Sequence, residues 1–297
     1  MTGYSVSTSG LGVSYGRTAA LTDVTIDLAP DRIHGLLGRN GAGKSTLLST
    51  IASLRAPSAG TVAVDGGDPF EDERRMEHTC LVRECGDVIG DESLKVNLDW
   101  FALARPSFDR MYAESLLDRF GLDPRKKPQA LSRGQASAFG VVVGLASRSP
   151  LTMFDEVHLG MDAPSRNTFY EALLADFAEH PRTIVVSSHL ISEIETMLET
   201  VTIIDQGRLL LSEEADDLRA RGVTLTGPAD AVDRLTAGQT VIGSRDLGPT
   251  RQATLFGDLD TAVLDRAADH GVTAGPVPLQ DLFIHLTERT SRTEAHA

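Results

Sequence analysis

One stretch, residues 38–46 with the sequence GRNGAGKST, constrains this chain more than any other, because it fits the pattern G-x-x-x-x-G-K-[ST] in full. Residues 32–37 before it read as a buried strand, and residues 47–54 after it read as a helix. A glycine-rich loop in this context can wrap around a phosphate group, because its backbone amides converge on the anion at the helix N-terminus. The pattern predicts a phosphate-binding loop, and the strand–loop–helix context disfavours the alternative of a turn with an incidental lysine.

The side chains of this loop indicate how a nucleotide would be held. Lys44 is expected to reach the β- and γ-phosphates, and the Ser45 hydroxyl is expected to bind Mg²⁺. The predicted nucleotide-binding residues of the loop are Gly38, Arg39, Asn40, Gly41, Ala42, Gly43, Lys44, Ser45 and Thr46.

The composition limits the classes of protein to which the chain can belong. Its 297 residues, of which 41% are hydrophobic and 24% charged, suffice for one large domain or two ordinary ones with a packed core. A net charge of −14 argues against nucleic acid as the main partner. The longest apolar run, residues 139–146, is too short to cross a bilayer, and no signal peptide is recognisable. We therefore expect a soluble, cytoplasmic chain.

A pair of carboxylates follows the predicted buried strand 151–155. Asp155 at the strand end can hold Mg²⁺ directly or through water, and Glu156 can polarise an attacking water molecule. A strand-ending acidic pair without function is the alternative. His189 follows the next predicted strand, one helical crossover later, so we expect it at the same sheet edge, where open parallel sheets bind ligands.

Two further features stand outside these strands. Residues 131–135, with the sequence LSRGQ, precede a predicted helix that runs to residue 146. Tyr15 lies in a predicted turn, where an exposed ring could stack on a nucleobase, although such a residue could equally be half-buried in a strand.

Taken together, these motifs resemble, in order and spacing, the nucleotide-binding subunit of ABC transporters over about residues 3–215. In this resemblance residues 38–46 are the Walker A motif, residues 131–135 the signature and residues 151–155 the Walker B motif. The family fold implied is an α/β phosphate-loop ATPase domain with a mixed sheet core, an antiparallel β subdomain and a helical subdomain that carries the signature. The resemblance further implies a catalytic glutamate at Glu156, a switch histidine at His189, a D-loop aspartate at Asp162 and an adenine-stacking ring at Tyr15.

The sequence departs from the family pattern at three places. Glu84 stands where the family has a glutamine that touches Mg²⁺. Arg133 replaces the first glycine of the usual LSGGQ, while Ser132, Gly134 and Gln135 are retained. Residues 157–159 replace the usual turn that contains proline. We expect hydrolysis to survive these changes at a reduced rate.

The resemblance implies an ATP-hydrolysing motor subunit that uses ATP and Mg²⁺. Two chains would enclose ATP between the Walker motifs of one and the signature of the other, so the partner is a second copy or a related cassette. A membrane permease on a separate chain would hold the protein at the inner face of the cell membrane, and the extension after the cassette resembles the exporter branch. Two alternatives stay open: a soluble ABC ATPase not coupled to transport, and a slow ATP-sensing cassette, suggested by Glu84 and Arg133.

Residues 216–297 follow the cassette, and we predict that they form a second domain after a first domain of residues 1–215. Residues 224–227 and 254–257 are similar, and each is followed by a similar helical stretch. The order β-α-β-β-α-β predicts an α+β unit of ferredoxin-like type, with chance similarity as the alternative. The last helix is predicted over residues 279–288, with frayed residues at 290–297. The domain could serve dimerisation, regulation or only as a structural cap.

Overall fold

The structure is a computed structural model that describes residues 3–83, 88–257 and 267–294, with backbone alone for residue 286 and residues 288–294. Within the described residues the chain forms two compact units, one from Met1–His189 with Met197–Ser212, the other from Leu190–Thr196 with Glu213–Ala297. Compactness does not test independent folding, so the predicted boundary after residue 215 stays a prediction.

Over its described residues, the first unit contains two sheets and six α-helices. Its strands are β1 (Val6–Tyr15), β2 (Thr18–Leu28), β3 (Ile33–Leu37), β4 (Ala59–Val64), β5 (Thr79–Arg83), β6 (Leu151–Asp155), β7 (Thr183–Ser188), β8 (Thr200–Asp205) and β9 (Arg208–Glu214). Its helices are α1 (Lys44–Ile51), α2 (Glu73–Glu77), α3 (Leu94–Ala104), α4 (Arg110–Arg119), α5 (Arg133–Ser147) and α6 (Ala163–Glu179), with short 3-10 helices at Pro128–Ala130 and Val157–Gly160.

The central sheet has the strand order β5-β6-β7-β3-β8-β9. Neighbouring strands from β5 to β8 pair in parallel. Every residue of β3, β6 and β7 is buried, which is why these strands are short and largely apolar runs. Their carboxyl ends meet at one edge of the sheet, and the candidate functional residues follow directly after them.

A second, antiparallel sheet has the order β2-β1-β4. Alternate residues of β1 and β2 are buried and pack with one side of α1 in a single apolar cluster, whose members include Leu11, Leu21, Leu48 and Ile51. Tyr15 is the last residue of β1 rather than part of the predicted turn. The sheet therefore covers one side of the phosphate-binding loop region.

Helix α5 lies unusually close to the central sheet. A Cβ atom added at Gly144 would lie 2.5 Å from the Phe154 ring and 2.7 Å from Val82, and one at Gly140 would lie 2.9 Å from Val82. Glycine at these positions therefore allows contact between the helix backbone and the side chains of β5 and β6.

The predicted α/β class with an antiparallel sheet and a helical part is confirmed.

The second unit is built around a four-stranded antiparallel sheet of order β11-β12-β10-β13. Its elements are α7 (Ile191–Ile194), α8 (Ala215–Ala220), β10 (Gly222–Pro228), α9 (Ala229–Thr236), β11 (Val241–Leu247), β12 (Thr250–Phe256), β13 (Thr273–Gly275) and α10 (Leu279–Glu294). Val232 and Leu235 of α9 pack on Val223, Leu225 and Leu255 of the sheet. The ferredoxin-like arrangement stays a prediction, because residues 262–266, predicted to belong to its second helix, lie outside the described residues.

Helix α10 is longer than the sequence analysis predicted. It continues to Glu294, so the prediction of fraying was wrong for residues 290–294. Residues 279–294 contain neither glycine nor proline, and nothing in this stretch ends a helix.

Tyr112 on α4 makes stability depend on pH in the alkaline range. Burial, followed by the negative charge of Asp176, raises its pKa from 10.0 to about 12. The folded state therefore holds the phenol proton more tightly than the unfolded state. The contribution of protonated Tyr112 to the free energy of unfolding is complete below pH 10 and is lost as pH rises towards 12. We expect the free energy of unfolding of Tyr112→Phe to fall less between pH 9 and pH 12 than that of the wild type, by up to about 2 kcal/mol. Urea unfolding of both proteins at pH 9 to 12 measures this, and parallel pH profiles would contradict it.

Candidate active site

The loop between β3 and α1 has the backbone shape of an anion cradle. Gly41 and Gly43 have positive φ angles of 81° and 108°. Helix α1 begins at Lys44, and its N-cap Gly43 supplies no side-chain hydrogen bond to the first amides. Those amides can therefore be satisfied by an external anion, which the helix dipole also favours.

Gly43 is a position in this loop where a side chain cannot be accommodated, as is Gly38, whose added Cβ would lie 2.5 Å from the Ile204 carbonyl oxygen. At Gly43 an added Cβ would lie 2.7 Å from Leu21 Cδ2 and 2.8 Å from the Ala20 carbonyl oxygen, in a backbone conformation that strains any L-residue. We expect Gly43→Ala to weaken the binding of a fluorescent ATP analogue by about 5- to 150-fold, since strain of this kind costs roughly 1–3 kcal/mol. Gly41→Ala is the matched control, because Gly41 also has a positive φ but open space around it. An equal loss in both variants would contradict the steric explanation.

The ammonium group of Lys44 lies over the loop, although the residue is only 4% exposed. It donates hydrogen bonds to the carbonyl oxygens of Gly38 at 2.7 Å and Arg39 at 3.1 Å. It also forms an ion pair with Glu156 Oε1 at 3.0 Å. A buried cation is thus held where the loop would receive phosphate.

Glu156 connects two of the predicted site residues. Its Oε1 lies 3.0 Å from Lys44 Nζ and 3.2 Å from His189 Nδ1. Burial alone would raise its pKa, but the hydrogen bonds and charges of Lys44 and His189 together lower the pKa below its ordinary value. Glu156 is therefore an ionised carboxylate near neutral pH, and it can accept a proton from water.

Ser187, at the end of β7, lies against both carboxylate residues and was missed by the sequence analysis. Its hydroxyl donates a hydrogen bond to Asp155 Oδ1 at 2.7 Å and accepts one from the Glu156 amide at 3.0 Å. The only signal for it in the sequence is a polar residue at the end of a buried strand, which is also common in strands without any catalytic neighbour.

Lys44 and Glu156 border a cleft with a volume of about 240 Å³. The cleft is lined by Ala20, Asn40, Gly41, Ala42, Gly43, Lys44, Ser45, Thr46 and Glu156. Backbone amides of the loop, one ammonium group and one carboxylate match the requirements of a triphosphate and an attacking water molecule.

The donor set also fits Mg²⁺ that arrives with a nucleotide. Ser45 lines the cleft in the first turn of α1. Asp155 is the last residue of β6, and it is 7% exposed. Among the described residues no group of three or more His, Cys, Asp or Glu could hold a metal alone. Glu84, the third predicted ligand, lies outside the described residues.

Tyr15 is 47% exposed, and the Arg55 guanidinium carbon lies 3.7 Å from the centroid of its ring. Arg55 also donates a hydrogen bond to the Ser14 carbonyl oxygen at 2.8 Å. One face of the ring thus forms a cation–π contact within the chain. Stacking of Tyr15 on a nucleobase stays a prediction.

The signature residues lie at the start of α5. Ser132 Oγ accepts a hydrogen bond from the Gln135 amide, and Gln135 Oε1 accepts one from the Ser132 amide, both at 3.2 Å, so the two residues form a capping box. Arg133 is the first residue of the helix, and an added Cβ at Gly134 would lie 2.7 Å from the Gly160 carbonyl oxygen. The residues that line the cleft do not include any of these four.

Asp162 has a structural task in this chain. It is the N-cap of α6 and accepts a hydrogen bond from the Ser165 amide at 3.0 Å. Hydrogen bonding to Ser165 lowers its pKa. Its predicted D-loop role is not tested by this geometry.

Comparison with known sequences identifies relatives of the cassette. The family model described as ABC transporter matches residues 21–158. The ABC transporter ATP-binding protein YtrB of Bacillus subtilis strain 168 is 28% identical over 199 residues, which cover 67% of this chain and 68% of YtrB. The bacitracin transport ATP-binding protein BcrA of Enterococcus faecalis is 28% identical over 226 residues, covering 73% of this chain and 72% of BcrA.

Solved structures share the fold. An ATP-binding subunit of an ABC transporter superposes with a TM-score of 0.66 at 24% identity, covering 72% of this chain and 92% of that one. A dimeric ATP-binding cassette in a post-hydrolysis state, bound to ADP and Pi, superposes with a TM-score of 0.62 at 20% identity, covering 71% and 98%. With the phosphate loop, the carboxylate strand and these relatives together, residues 21–158 are an ATP-binding cassette domain of the ABC transporter type, a type of domain that hydrolyses ATP.

Proposed function

We propose that this chain is the ATP-hydrolysing motor subunit of an ABC exporter whose permease is a separate chain. The observation that carries the proposal is the Glu156 carboxylate, held between Lys44 and His189 beside the phosphate-binding loop. An ionised carboxylate at this position is the group that ATP hydrolysis needs in order to orient and deprotonate water.

In the proposed reaction Lys44 turns from Glu156 to the β- and γ-phosphates of ATP, while the amides of residues 38–46 bind the remaining phosphate oxygens. Glu156, released from Lys44, accepts the proton of the attacking water, and His189 keeps the carboxylate oriented. Tyr15 stacks on the adenine. Asp155, Ser45 and Glu84 would hold Mg²⁺, which supplies positive charge that neutralises the phosphates.

We further propose that two chains enclose two ATP molecules, with Ser132, Arg133, Gly134 and Gln135 of each chain acting in trans and Asp162 near the same interface. The absence of the signature from the lining of its own cleft supports this. So does the dimeric state of a structurally similar cassette. A copy of this chain or a related cassette fits the role of partner equally, and residues 216–297 are proposed as a separate domain.

The proposed membrane partner places the protein at the inner face of the cell membrane. No helix among the described residues is long and apolar enough to span a bilayer itself. Trp100, Leu103 and Met111 on α3 and α4 are 54%, 80% and 82% exposed, and they offer apolar surface to a partner. The names of relatives support transport, including bacitracin transport by BcrA and a cassette from a transporter complex.

A pull-down followed by reconstitution tests the coupling to a permease. The tagged full chain is purified from detergent-solubilised membranes of its own host, and the captured membrane protein is reconstituted with it in liposomes. We expect a multispanning partner that changes the rate of ATP hydrolysis and is lost with the variant Trp100→Ser/Leu103→Ser. Full ATP hydrolysis without any such partner would favour the soluble ATPase instead. Mg²⁺-dependent turnover no faster than that of Glu156→Gln would favour the slow ATP-sensing cassette.

A further inference from the structure

We propose that Ser187 is a positioning residue of the ATPase site, which fixes Asp155 and Glu156 relative to each other. The proposal rests on the proposed function, because it assigns Ser187 a task through the two carboxylates rather than through contact with ATP. No part of the family pattern described above points to this residue.

The contact follows from the register of the central sheet. Asp155, the last residue of β6, is the pairing partner of Ser187 in the neighbouring strand β7. Ser187 is 0% exposed, and its hydroxyl donates to Asp155 Oδ1 at 2.7 Å while accepting from the Glu156 amide at 3.0 Å. One donor and one acceptor of the same hydroxyl are thus engaged by consecutive residues, which fixes its orientation.

The backbone of Glu156 needs such an anchor. Glu156 has a positive φ of 52°, a conformation that residues other than glycine adopt at an energetic cost and that the surrounding structure must maintain. Its amide is turned towards a side chain, and Ser187 supplies the acceptor. The direction in which the Glu156 carboxylate leaves the strand therefore depends on Ser187.

The bond to Asp155 has a second effect. Hydrogen bonds to a carboxylate that binds a metal fix its rotation, and removing them typically lowers metal affinity or activity about 10- to 100-fold. Because Ser187 engages Oδ1, it determines how the Asp155 carboxylate is presented to Mg²⁺. Ser187 would thus couple the metal ligand to the general base through one hydroxyl.

The adjacent residue provides a matched control. Ser188 is also 0% exposed, and its hydroxyl is hydrogen-bonded to His158 Nε2 at 2.9 Å. Ser188→Ala therefore removes an equally buried hydroxyl whose bond is to His158, while the bonds of Ser187 to Asp155 and Glu156 are kept. Ser187→Thr keeps a hydroxyl at the same position and serves as the rescue variant.

The experiment measures ATP hydrolysis and, separately, binding. For Ser187→Ala we expect kcat to fall about 10- to 100-fold and the Mg²⁺ concentration at half-maximal rate to rise about tenfold. The KM for ATP should stay within about threefold, because the phosphate loop is unchanged. In the Glu156→Gln background, where turnover is blocked, Ser187→Ala should shift the Mg²⁺ dependence of fluorescent ATP binding in the same direction. Ser188→Ala should leave all these quantities within about threefold, and Ser187→Thr should restore most of the loss.

Each result separates the two proposals. If Ser187→Ala retains the wild-type kcat and Mg²⁺ dependence, or if Ser188→Ala loses as much, the positioning role is overturned while the ATPase assignment stands. If Ser187→Ala melts at a much lower temperature, Ser187→Thr decides, since a folded but equally impaired Thr variant also overturns the proposal. A wild-type chain without Mg²⁺-dependent ATP hydrolysis would instead remove the proposed function.

Discussion

Lys44→Ala is expected to weaken ATP binding by about 100-fold and to reduce ATP hydrolysis to background. The ammonium is buried in the loop and is the group placed to meet the β- and γ-phosphates. Its removal also leaves Glu156 without its cationic partner, so an uncompensated negative charge faces the triphosphate. Loss of one partner from a buried charge pair costs about 2–5 kcal/mol, and 100-fold corresponds to about 2.7 kcal/mol.

Equilibrium titration with a fluorescent ATP analogue measures this loss. Lys95→Ala, at an exposed position on α3, is the control and should bind like wild type. The double variant Lys44→Ala/Glu156→Gln separates the two causes, because it removes the uncompensated charge as well. We expect it to recover part of the affinity. If Lys44→Ala binds within about threefold of wild type, the loop holds phosphate through its amides alone and the assigned role of Lys44 is wrong.

Glu156→Gln is expected to lower turnover by about 10²- to 10⁴-fold, the range contributed by a positioned general base. The substituted amide keeps the size of the side chain but cannot accept the proton of the attacking water. ATP binding should be retained or become tighter, because the neutral amide no longer competes as an anion for Lys44. Glu114→Gln on α4, whose carboxylate is 60% exposed, is the matched control and should hydrolyse ATP normally.

Size-exclusion chromatography with light scattering of the same Glu156→Gln variant tests the dimer. With hydrolysis blocked, we expect a dimer that forms only in the presence of both ATP and Mg²⁺. A persistent monomer that still binds ATP would exclude self-association of the isolated chain and point to a different cassette or a permease. A dimer without nucleotide would direct attention to residues 216–297.

The site residues that could be predicted from the sequence are those that belong to a recognisable local motif. Residues 38–46 have a spacing that few other structures require, and Asp155 and Glu156 end a recognisable apolar strand. In the structure Glu156 Oε1 lies 3.0 Å from Lys44 Nζ and 3.2 Å from His189 Nδ1, at the edge of the sheet where the three residues were expected. Their roles in catalysis stay predictions until the variants are measured.

The residues that could not be predicted depend on register and packing. Ser187 reaches Asp155 only because β6 and β7 pair at that position, which no local pattern encodes. Arg55 covers the Tyr15 ring through a contact between residues far apart in sequence. The end of α10 was misjudged because residues near the chain terminus were expected to fray, although no residue up to Glu294 breaks a helix.

The close approach of α5 to the central sheet has a consequence for how two sites would communicate. The helix has 15 residues and is about 22 Å long. The signature lies at its first turn. Near its other end Gly144 packs against Phe154, the residue before Asp155. Because the helix backbone at Gly144 contacts the Phe154 ring directly, with no helix side chain between them, a displacement of the first turn would be transmitted to the carboxylates rather than absorbed by rotamer changes on the helix. In a dimer the first turn would touch the nucleotide of the opposite chain. Occupancy of one site would then alter the other, and ATP hydrolysis would show a Hill coefficient above one.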